Sequence, residues 1–232
     1  MVEITTSMVQ YPGKAVEITA LECKPKHAGP HPAVIVVQEW WGLNDHIKDV
    51  AQRFAREGYV TLAPDLYSRL GHKITTDAQE AGQLMGSLKK EDGIEDLNSS
   101  MDYLKKQAGV KSDRVGVVGF CMGGSYALLL PCKNREIKAA VPFYGEVPDS
   151  EVLKGLGCPV LFFYGDQDGW IQLKDVNRLK EFLEKEKRPG EVIIYPGAGH
   201  AFFNDTRESY RAKEAQESWS KSLAFFKTHL QA

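Results

Sequence analysis

The chain has 232 residues, of which 43% are hydrophobic, and its 29 basic and 31 acidic residues leave a formal net charge of −2. This length favours one large hydrophobic core, so we expect a single domain over residues 1–232. The near-neutral charge gives no electrostatic reason to bind nucleic acid or an anionic membrane, which leaves a small molecule as the expected partner of a monomer or weak homodimer.

Short β-branched and aromatic runs alternate with amphipathic segments along the chain. The predicted strands are Val16–Leu21, Ala33–Gln38, Val60–Pro64, Arg114–Phe120, Ala139–Tyr144, Pro159–Gly165 and Glu191–Tyr195. The predicted helices are His46–Glu57, Asp77–Leu88, Asp92–Lys106, Met122–Cys132, Leu173–Lys185 and about Ser209–His229. We expect one or two antiparallel edge strands at the start. The later, continuously apolar strands predict an α/β fold with a mainly parallel twisted sheet and helices on both faces.

Ligands of such sheets bind beyond the carboxyl ends of the strands, and Glu39 is expected at the end of the first of the buried strands. The loop that follows is a candidate source of an oxyanion-binding backbone N–H, that of Trp40. A solvated carboxylate is the alternative for Glu39. Core packing beneath the loop is the alternative for Trp40 and Trp41.

The segment Asp113–Ala127 reads as an apolar strand, a glycine-rich turn and a helix start, with Cys121 at the tip of the turn. Gly119 and Gly123 allow strand and helix to approach closely, so the residue between them is expected in a strained conformation with its side chain projecting. This Gly-x-Cys-x-Gly pattern predicts a nucleophile elbow that carries a thiol. The helix start favours a thiolate and offers the N–H of Met122 to an oxyanion. A buried, inert cysteine is the alternative.

Candidates for an acid and a base follow the next strands. Asp168 lies in the segment GDQDGW, and His200 lies in the segment GAGHAFFND. A histidine can take a proton from the thiol and return it to a leaving group, and a carboxylate can orient that histidine. Asp168 is preferred over Asp166, which can cap the turn at the strand end. Ordinary turn chemistry is the alternative for each residue alone, but the order Cys, Asp, His at successive strand ends is that of the α/β-hydrolase triad.

Other sequence features exclude several classes of site. The four cysteines lack CxxC spacing, so we expect reduced thiols rather than a zinc site or a disulfide framework. Neither a helical histidine pair beside a carboxylate nor a Gly-x-Gly-x-x-Gly turn is present, which predicts no metal and no cofactor. The first residues lack a basic region followed by an apolar core, and no apolar run approaches the ~20 residues of a membrane span. We therefore expect a cytoplasmic protein.

The elbow, the segment QEWWGLN after the first buried strand, APDLY after the second, GDQDGW and GAGHAFFND together resemble the dienelactone hydrolase (carboxymethylenebutenolidase) family. The resemblance covers nearly the whole chain and implies an α/β-hydrolase fold without a large cap domain. It implies a hydrolase of small lactones or esters, with Cys121, Asp168 and His200 as the triad. The family's glutamate, which is thought to accept the hydrogen bond of the resting thiol, corresponds to Glu39.

The chain departs from well-known members in its carboxylate-binding arginines. The predicted helix Asp77–Leu88 contains no arginine, and Asn204 stands four residues beyond His200. Arg207, Arg69 and Lys73 are candidate replacements, although proximity alone does not reproduce a bidentate arginine contact. The candidate substrate-binding residues are therefore Trp41, Tyr144, Trp170, Phe202, Asn204 and Arg207, of which the aromatic ones could equally be core.

The altered arginine pattern leaves two other functions open. One is a promiscuous aryl-esterase, thioesterase or organophosphate hydrolase that uses the same triad. The other, from a different class, is a non-hydrolytic small-molecule binder or thiol sensor, which would need Cys121 but not His200 or Asp168.

Overall fold

The computed structural model describes residues 2–231. The strands within this range are β1 Ile4–Pro12, β2 Glu17–Pro25, β3 His31–Val37, β4 Val60–Pro64, β5 Val110–Phe120, β6 Ile137–Phe143, β7 Val160–Gly165 and β8 Gly190–Tyr195. The helices are α1 Asp45–Arg56, α2 Ala78–Ser87, α3 Lys90–Lys105, α4 Met122–Lys133, α5 Ser150–Leu153, α6 Leu173–Lys185 and α7 Ala212–Leu230, with a 3₁₀ turn at Ser68–Leu70.

The strands follow the order β1-β2-β4-β3-β5-β6-β7-β8 in one sheet. β1 pairs antiparallel with β2, and β2 pairs antiparallel with β4. β3 is parallel to β4, and β7 is parallel to both β6 and β8. The prediction of a mainly parallel α/β sheet that begins with antiparallel strands is confirmed. The chain has two such opening strands, and β1 is the one at the edge.

The chain divides into two compact units, which comprise residues 1–116 and 117–232. The first unit holds β1 to β4, α1 to α3 and the beginning of β5. Its helix α1 is capped by Asn44, whose side chain accepts the N–H of Ile47. The strands β3 and β4 bury nearly all of their apolar side chains, as expected of strands covered on both faces. The helix α1 between them also buries its apolar side chains. The single domain of the sequence analysis stays a prediction.

The second unit has a core of stacked aromatic rings at its central strands. The ring centroids of Phe143 lie 4.7 Å from those of both Phe120 and Phe163, and the ring of Phe203 lies 5.1 Å from that of Phe120. Burial of each such side chain contributes on the order of 1.5–3 kcal/mol. This core holds the ends of β5, β6 and β7, from which the functional loops depart.

Most element boundaries agree with the predicted ones within a few residues, and α6 agrees at both ends. The last helix begins at Ala212 rather than Ser209, because Arg211 has an extended backbone with φ −125° and ψ 97°. Helix α5 was not predicted, since four residues are too few to show a helical period. Within residues 2–231, no helix has both the length and the apolar character that a membrane crossing requires.

Candidate active site

Cys121 occupies the turn between β5 and α4 in a conformation that few residues other than glycine adopt. Its backbone has φ 55° and ψ −116°, and its N–H donates to the carbonyl of Phe143 at 3.1 Å. A Cβ atom at Gly119 would overlap the backbone carbonyl of Gly123, so the close approach of strand and helix requires glycine there. The turn therefore has the strained geometry predicted for a nucleophile elbow.

The first turn of α4 is held in place by contacts that were not predicted from the sequence. Gly124 packs directly on Gly145, where neither residue has room for a Cβ atom. The hydroxyl of Ser125 accepts the N–H of Glu146 at 2.8 Å. The available signal was the small-residue run Gly-Gly-Ser after Met122. These contacts hold the start of α4 against the loop after β6.

Asp168 and His200 lie on the loops that follow β7 and β8, and their side chains are directly bonded. Oδ2 of Asp168 lies 2.8 Å from Nδ1 of His200, and the aspartate side chain is fully buried. The other carboxylate oxygen accepts the N–H groups of Trp170 and Ile171 at 2.8 and 2.9 Å. The carboxylate is thus held from its own loop and can orient the imidazole.

His200 also contacts Cys121, and this contact helps to raise the pKa of the imidazole. Burial alone would lower the pKa of His200, but hydrogen bonds with Asp168 and Cys121 and the charges of both groups raise it to about 10. The imidazole is therefore protonated at neutral pH. The structure brings together the three side chains that the sequence predicted as a triad.

Aromatic rings surround His200 with very different exposure. The buried ring of Tyr144 meets the imidazole edge-on, with centroids 5.1 Å apart, from a backbone with φ 39°. Phe202 is fully buried among Tyr144, Tyr195 and Phe143, so for this residue the core alternative is correct. Trp170 is 63% exposed, and its ring centroid lies 6.1 Å from that of His200. Trp170 is therefore accessible to a ligand beside the imidazole.

Asn204 does not lie where a substrate could reach it. It is fully buried, and its Oδ1 accepts the backbone N–H and the hydroxyl of Thr206 at 3.0 and 2.7 Å. The predicted substrate contact of Asn204 is therefore corrected to a stabilising role in the turn after His200. Arg207, which is half-buried, follows in the same turn and donates its backbone N–H to Asn204 at 3.1 Å.

In the first unit, Glu39 lies at the carboxyl end of β3 and is only 1% exposed, which excludes the alternative of a solvated carboxylate. The loop after it is held by other segments of the same unit. The hydroxyl of Tyr67 donates to the carbonyl of Trp40 at 2.9 Å, and the N–H of Thr75 donates to the carbonyl of Trp41 at 3.1 Å. Trp40 and Trp41 are half-buried, with ring centroids 5.0 Å apart.

Two candidate replacements for the missing arginines have partners already. The guanidinium of Arg69 grips the carboxylate of Asp96 with two hydrogen bonds of 2.7 and 3.0 Å, so Arg69 is corrected from a candidate ligand to a structural residue. Lys73 lies 3.8 Å from Glu80 in an exposed ion pair. Across residues 2–231, no group of three or more histidine, cysteine, aspartate or glutamate side chains is arranged to hold a metal ion.

Comparisons with known proteins point in one direction. The model of the dienelactone hydrolase family matches residues 18–230. A Yersinia pestis protein named "Putative carboxymethylenebutenolidase" is 34% identical over 233 residues, which cover 94% of this chain and 86% of that protein. A Bradyrhizobium protein named "Probable 2-oxo-3-(5-oxofuran-2-ylidene)propanoate lactonase" is 33% identical over 218 residues, 89% of this chain and 88% of its own length.

Solved structures agree with this match. The crystal structure described as a "Putative Dienelactone Hydrolase" from Klebsiella pneumoniae superposes with a TM-score of 0.90 at 30% identity. The superposition covers 98% of this chain and 100% of that one.

Proposed function

Because this chain is a hydrolase that belongs to the dienelactone hydrolase family, we propose that it cleaves small lactones or esters with Cys121 as the nucleophile. His200 is the acid and base, and Asp168 orients it. The observation that carries this proposal is the position of one imidazole, hydrogen-bonded to the buried Asp168 carboxylate on one side and to Cys121 on the other.

In the first step, the thiolate of Cys121 attacks the carbonyl carbon of the substrate, and a C–S bond forms. The N–H of Met122, in the first turn of α4, is a proposed donor to the resulting oxyanion, because a helix offers its first N–H groups no acceptor of its own. The resemblance to the family assigns a second donor role to the N–H of Trp40. Protonated His200 gives its proton to the leaving oxygen as the C–O bond breaks, which leaves a thioester on Cys121.

In the second step, neutral His200 removes a proton from water, and the hydroxide attacks the thioester carbonyl. The C–S bond breaks, the acid product leaves, and the thiolate of Cys121 is restored beside a protonated imidazole. Asp168 stabilises that imidazolium in both steps.

A role for Glu39 in the resting enzyme belongs to the same proposal. Through the resemblance, its carboxylate accepts the hydrogen bond of the Cys121 thiol until substrate binds. It then takes the thiol proton, which leaves the thiolate of the first step, and it returns that proton after the product leaves. A thiol that is less reactive before substrate binds is also better protected from oxidation.

Activated lactones are the favoured substrates over simple esters. Hydrolysis of the thioester is the difficult half of the reaction, and a simple ester lets the enzyme trap itself as an acyl adduct. The enol released from a lactone stays tethered beside the thioester and is acidic, so in its ionised form it can help to draw the proton from water. The name of the Bradyrhizobium relative, a lactonase, supports the same substrate class.

The test is hydrolysis of a dienelactone and of p-nitrophenyl acetate by the wild type, Cys121→Ala and Cys132→Ala, with intact-mass detection of acyl adducts. Cys132 is the matched control, because it lies in the last turn of the same helix. We expect fast lactone turnover that disappears only in Cys121→Ala. Cleavage of the aryl ester alone, with an adduct on Cys121, would favour the aryl-esterase alternative. Undiminished turnover by Cys121→Ala would refute the proposal.

A further inference from the structure

The turn that carries His200 is held at Gly197 by hydrogen bonds with two side chains. We call residues 196–204 the His200 turn. The N–H of Gly197 donates to Oδ1 of Asp166 at 2.7 Å, and Nη1 of Arg211 donates to its carbonyl at 3.3 Å. Extending the proposed function, on which this inference rests, we propose that Asp166 and Arg211 form a hydrogen-bonded clamp that positions the imidazole of His200 for catalysis. Both are positioning residues, since neither contacts the imidazole.

On the Asp166 side, the clamp joins the loop that carries the acid to the loop that carries the base. Asp166 lies two residues before Asp168. Its N–H donates to the carbonyl of Tyr195 at 3.2 Å, and the next N–H, that of Gln167, donates to Ala198 at 2.9 Å. A carboxylate that accepts a backbone N–H makes a stronger bond than a neutral acceptor does. The Asp166 carboxylate is thus the charged member of a short ladder between the two loops.

On the Arg211 side, one residue holds both ends of the segment that contains His200. The side chain of Arg211 reaches Gly197, and its backbone N–H donates to the carbonyl of Phe202 at 2.9 Å. Arg211 directly precedes the 19-residue helix α7. The clamp therefore anchors the His200 turn to the start of that helix. His200 lies between the two anchored residues, Gly197 and Phe202.

The backbone of the turn explains why such a clamp is needed. Gly197 has φ 73° and Ala201 has φ 61°, so left-handed residues stand on both sides of His200. An alanine in that region is strained and stays there only when its surroundings hold it. Displacement of a catalytic group by about 1 Å can lower the rate about 100-fold. Loss of the clamp is therefore expected to displace the imidazole, which must contact Asp168 and Cys121 at the same time.

The test compares Asp166→Ala, Asp166→Asn and Arg211→Ala with a matched control, Asp149→Ala. Asp149 also accepts one backbone N–H through its carboxylate, that of Val152 at 3.0 Å, but at the start of α5. Two rates are measured at pH 7. One is turnover of p-nitrophenyl acetate, resolved into kcat and KM. The other is alkylation of Cys121 by iodoacetamide, followed by intact mass with Cys121→Ala as the background.

For Asp166→Ala we expect kcat to fall about 10- to 100-fold, with little change in KM, and alkylation to slow, because a displaced imidazolium stabilises the thiolate less. Asp166→Asn keeps an oxygen that can accept the N–H of Gly197 and should recover most of both rates. Arg211→Ala should show the same pattern with a smaller loss, since its bond is longer. Asp149→Ala should match the wild type in both rates.

Equal rates in Asp166→Ala and Asp149→Ala would overturn the clamp, and so would an Asp166→Asn variant as slow as Asp166→Ala. If Asp166→Ala does not fold, Arg211→Ala decides by the same comparison with Asp149→Ala. The alkylation rates do not depend on hydrolysis. They therefore test the clamp even if the proposed function fails, that is, if Cys121→Ala turns over ester as fast as the wild type.

Discussion

His200 shows how a few contacts change the chemistry of one side chain. A solvated histidine is mostly neutral at pH 7, whereas the partners of His200 raise its pKa to about 10. The residue therefore rests as a cation between a buried carboxylate and a thiol. In the proposed mechanism this charge state is the one required first, because the imidazolium has a proton ready for the leaving oxygen.

Substitution of Asp168 tests the orientation of that imidazole. Asp168→Asn replaces an oxygen that accepts from Nδ1 with a group that can present N–H instead, which favours the wrong tautomer. We expect kcat to fall on the order of 10³-fold, with KM much less affected. Asp175→Asn is the control, because Asp175 pairs with Arg178 at 2.6 Å within α6. Similar steady-state kinetics in the two variants would contradict the role of Asp168.

The raised pKa of His200 also predicts how stability depends on pH. A folded-state pKa above the ordinary value of 6.5 means that the folded protein binds the proton more tightly than the unfolded chain does. The contribution is fully present below pH 6.5 and is lost as pH rises through about 10. Urea unfolding of the wild type and His200→Gln should therefore give free energies that converge over this range. A constant or widening difference would show that the pKa is not raised.

The exposed Trp170 predicts a contribution to substrate binding rather than to folding. In Trp170→Ala, we expect KM for an aryl ester to rise roughly threefold to tenfold, as for the loss of one aromatic contact. The free energy of unfolding should change by no more than about 0.5 kcal/mol. Trp170→Phe keeps an aromatic ring and should retain most of the affinity. Unchanged KM in Trp170→Ala would place the substrate elsewhere.

At the scale of elements, the strand β5, its turn and the helix α4 act as one unit whose geometry depends on glycine. The positive φ of Cys121 is a conformation that costs of order 1–3 kcal/mol, so its surroundings must hold it. The glycines of the elbow remove the steric conflict, and the contacts of Ser125 and Gly145 fix the helix start. The local sequence was sufficient to predict this strand–turn–helix geometry, because the spacing of the glycines indicates where the two backbones come into contact.

A methyl group at Gly119 should break this arrangement. The new Cβ in Gly119→Ala would overlap backbone atoms of Gly123, which cannot move aside as a flexible side chain can. We expect a loss of at least about 3 kcal/mol in the free energy of unfolding. Gly86→Ala is the matched control, because Gly86 lies within α2 with open space around its Cβ position, and it should gain up to about 1 kcal/mol. Equal stability of the two variants, measured by urea unfolding, would exclude the steric argument.

Across the whole molecule, the four cysteines are predicted to differ sharply in reactivity. Burial raises the pKa of Cys23 to about 11 and that of Cys132 to about 12, and it raises the pKa of Cys158 still further. Cys121 instead has a protonated imidazole beside it. Iodoacetamide at pH 7 should therefore alkylate Cys121 first, and the other three only after unfolding. Peptide mapping after a short exposure checks this, and modification of Cys132 or Cys158 before Cys121 would contradict it.

The sequence by itself determined the α/β class, the mainly parallel sheet, most element boundaries and the identity of Cys121, Asp168 and His200 as candidates. These follow from local patterns, since apolar runs mark buried strands and the glycines and polar residues mark the ends where loops begin. Helix α5 and the true start of α7 were missed, because four residues show no helical period and the extended backbone of Arg211 has no distinct sequence signal.

Only the tertiary structure decided which of the candidate residues have partners. Asn204 and Arg69 were plausible ligands by type, but Asn204 is fully buried with its Oδ1 bonded to Thr206, and the guanidinium of Arg69 is bonded to Asp96. Phe202 and Trp170 were equivalent as aromatic residues, yet one is core and the other is exposed. The grip on Gly197 joins residues 31 and 14 positions apart along the chain. Such contacts depend on how distant loops meet, which folding sets and no local pattern records.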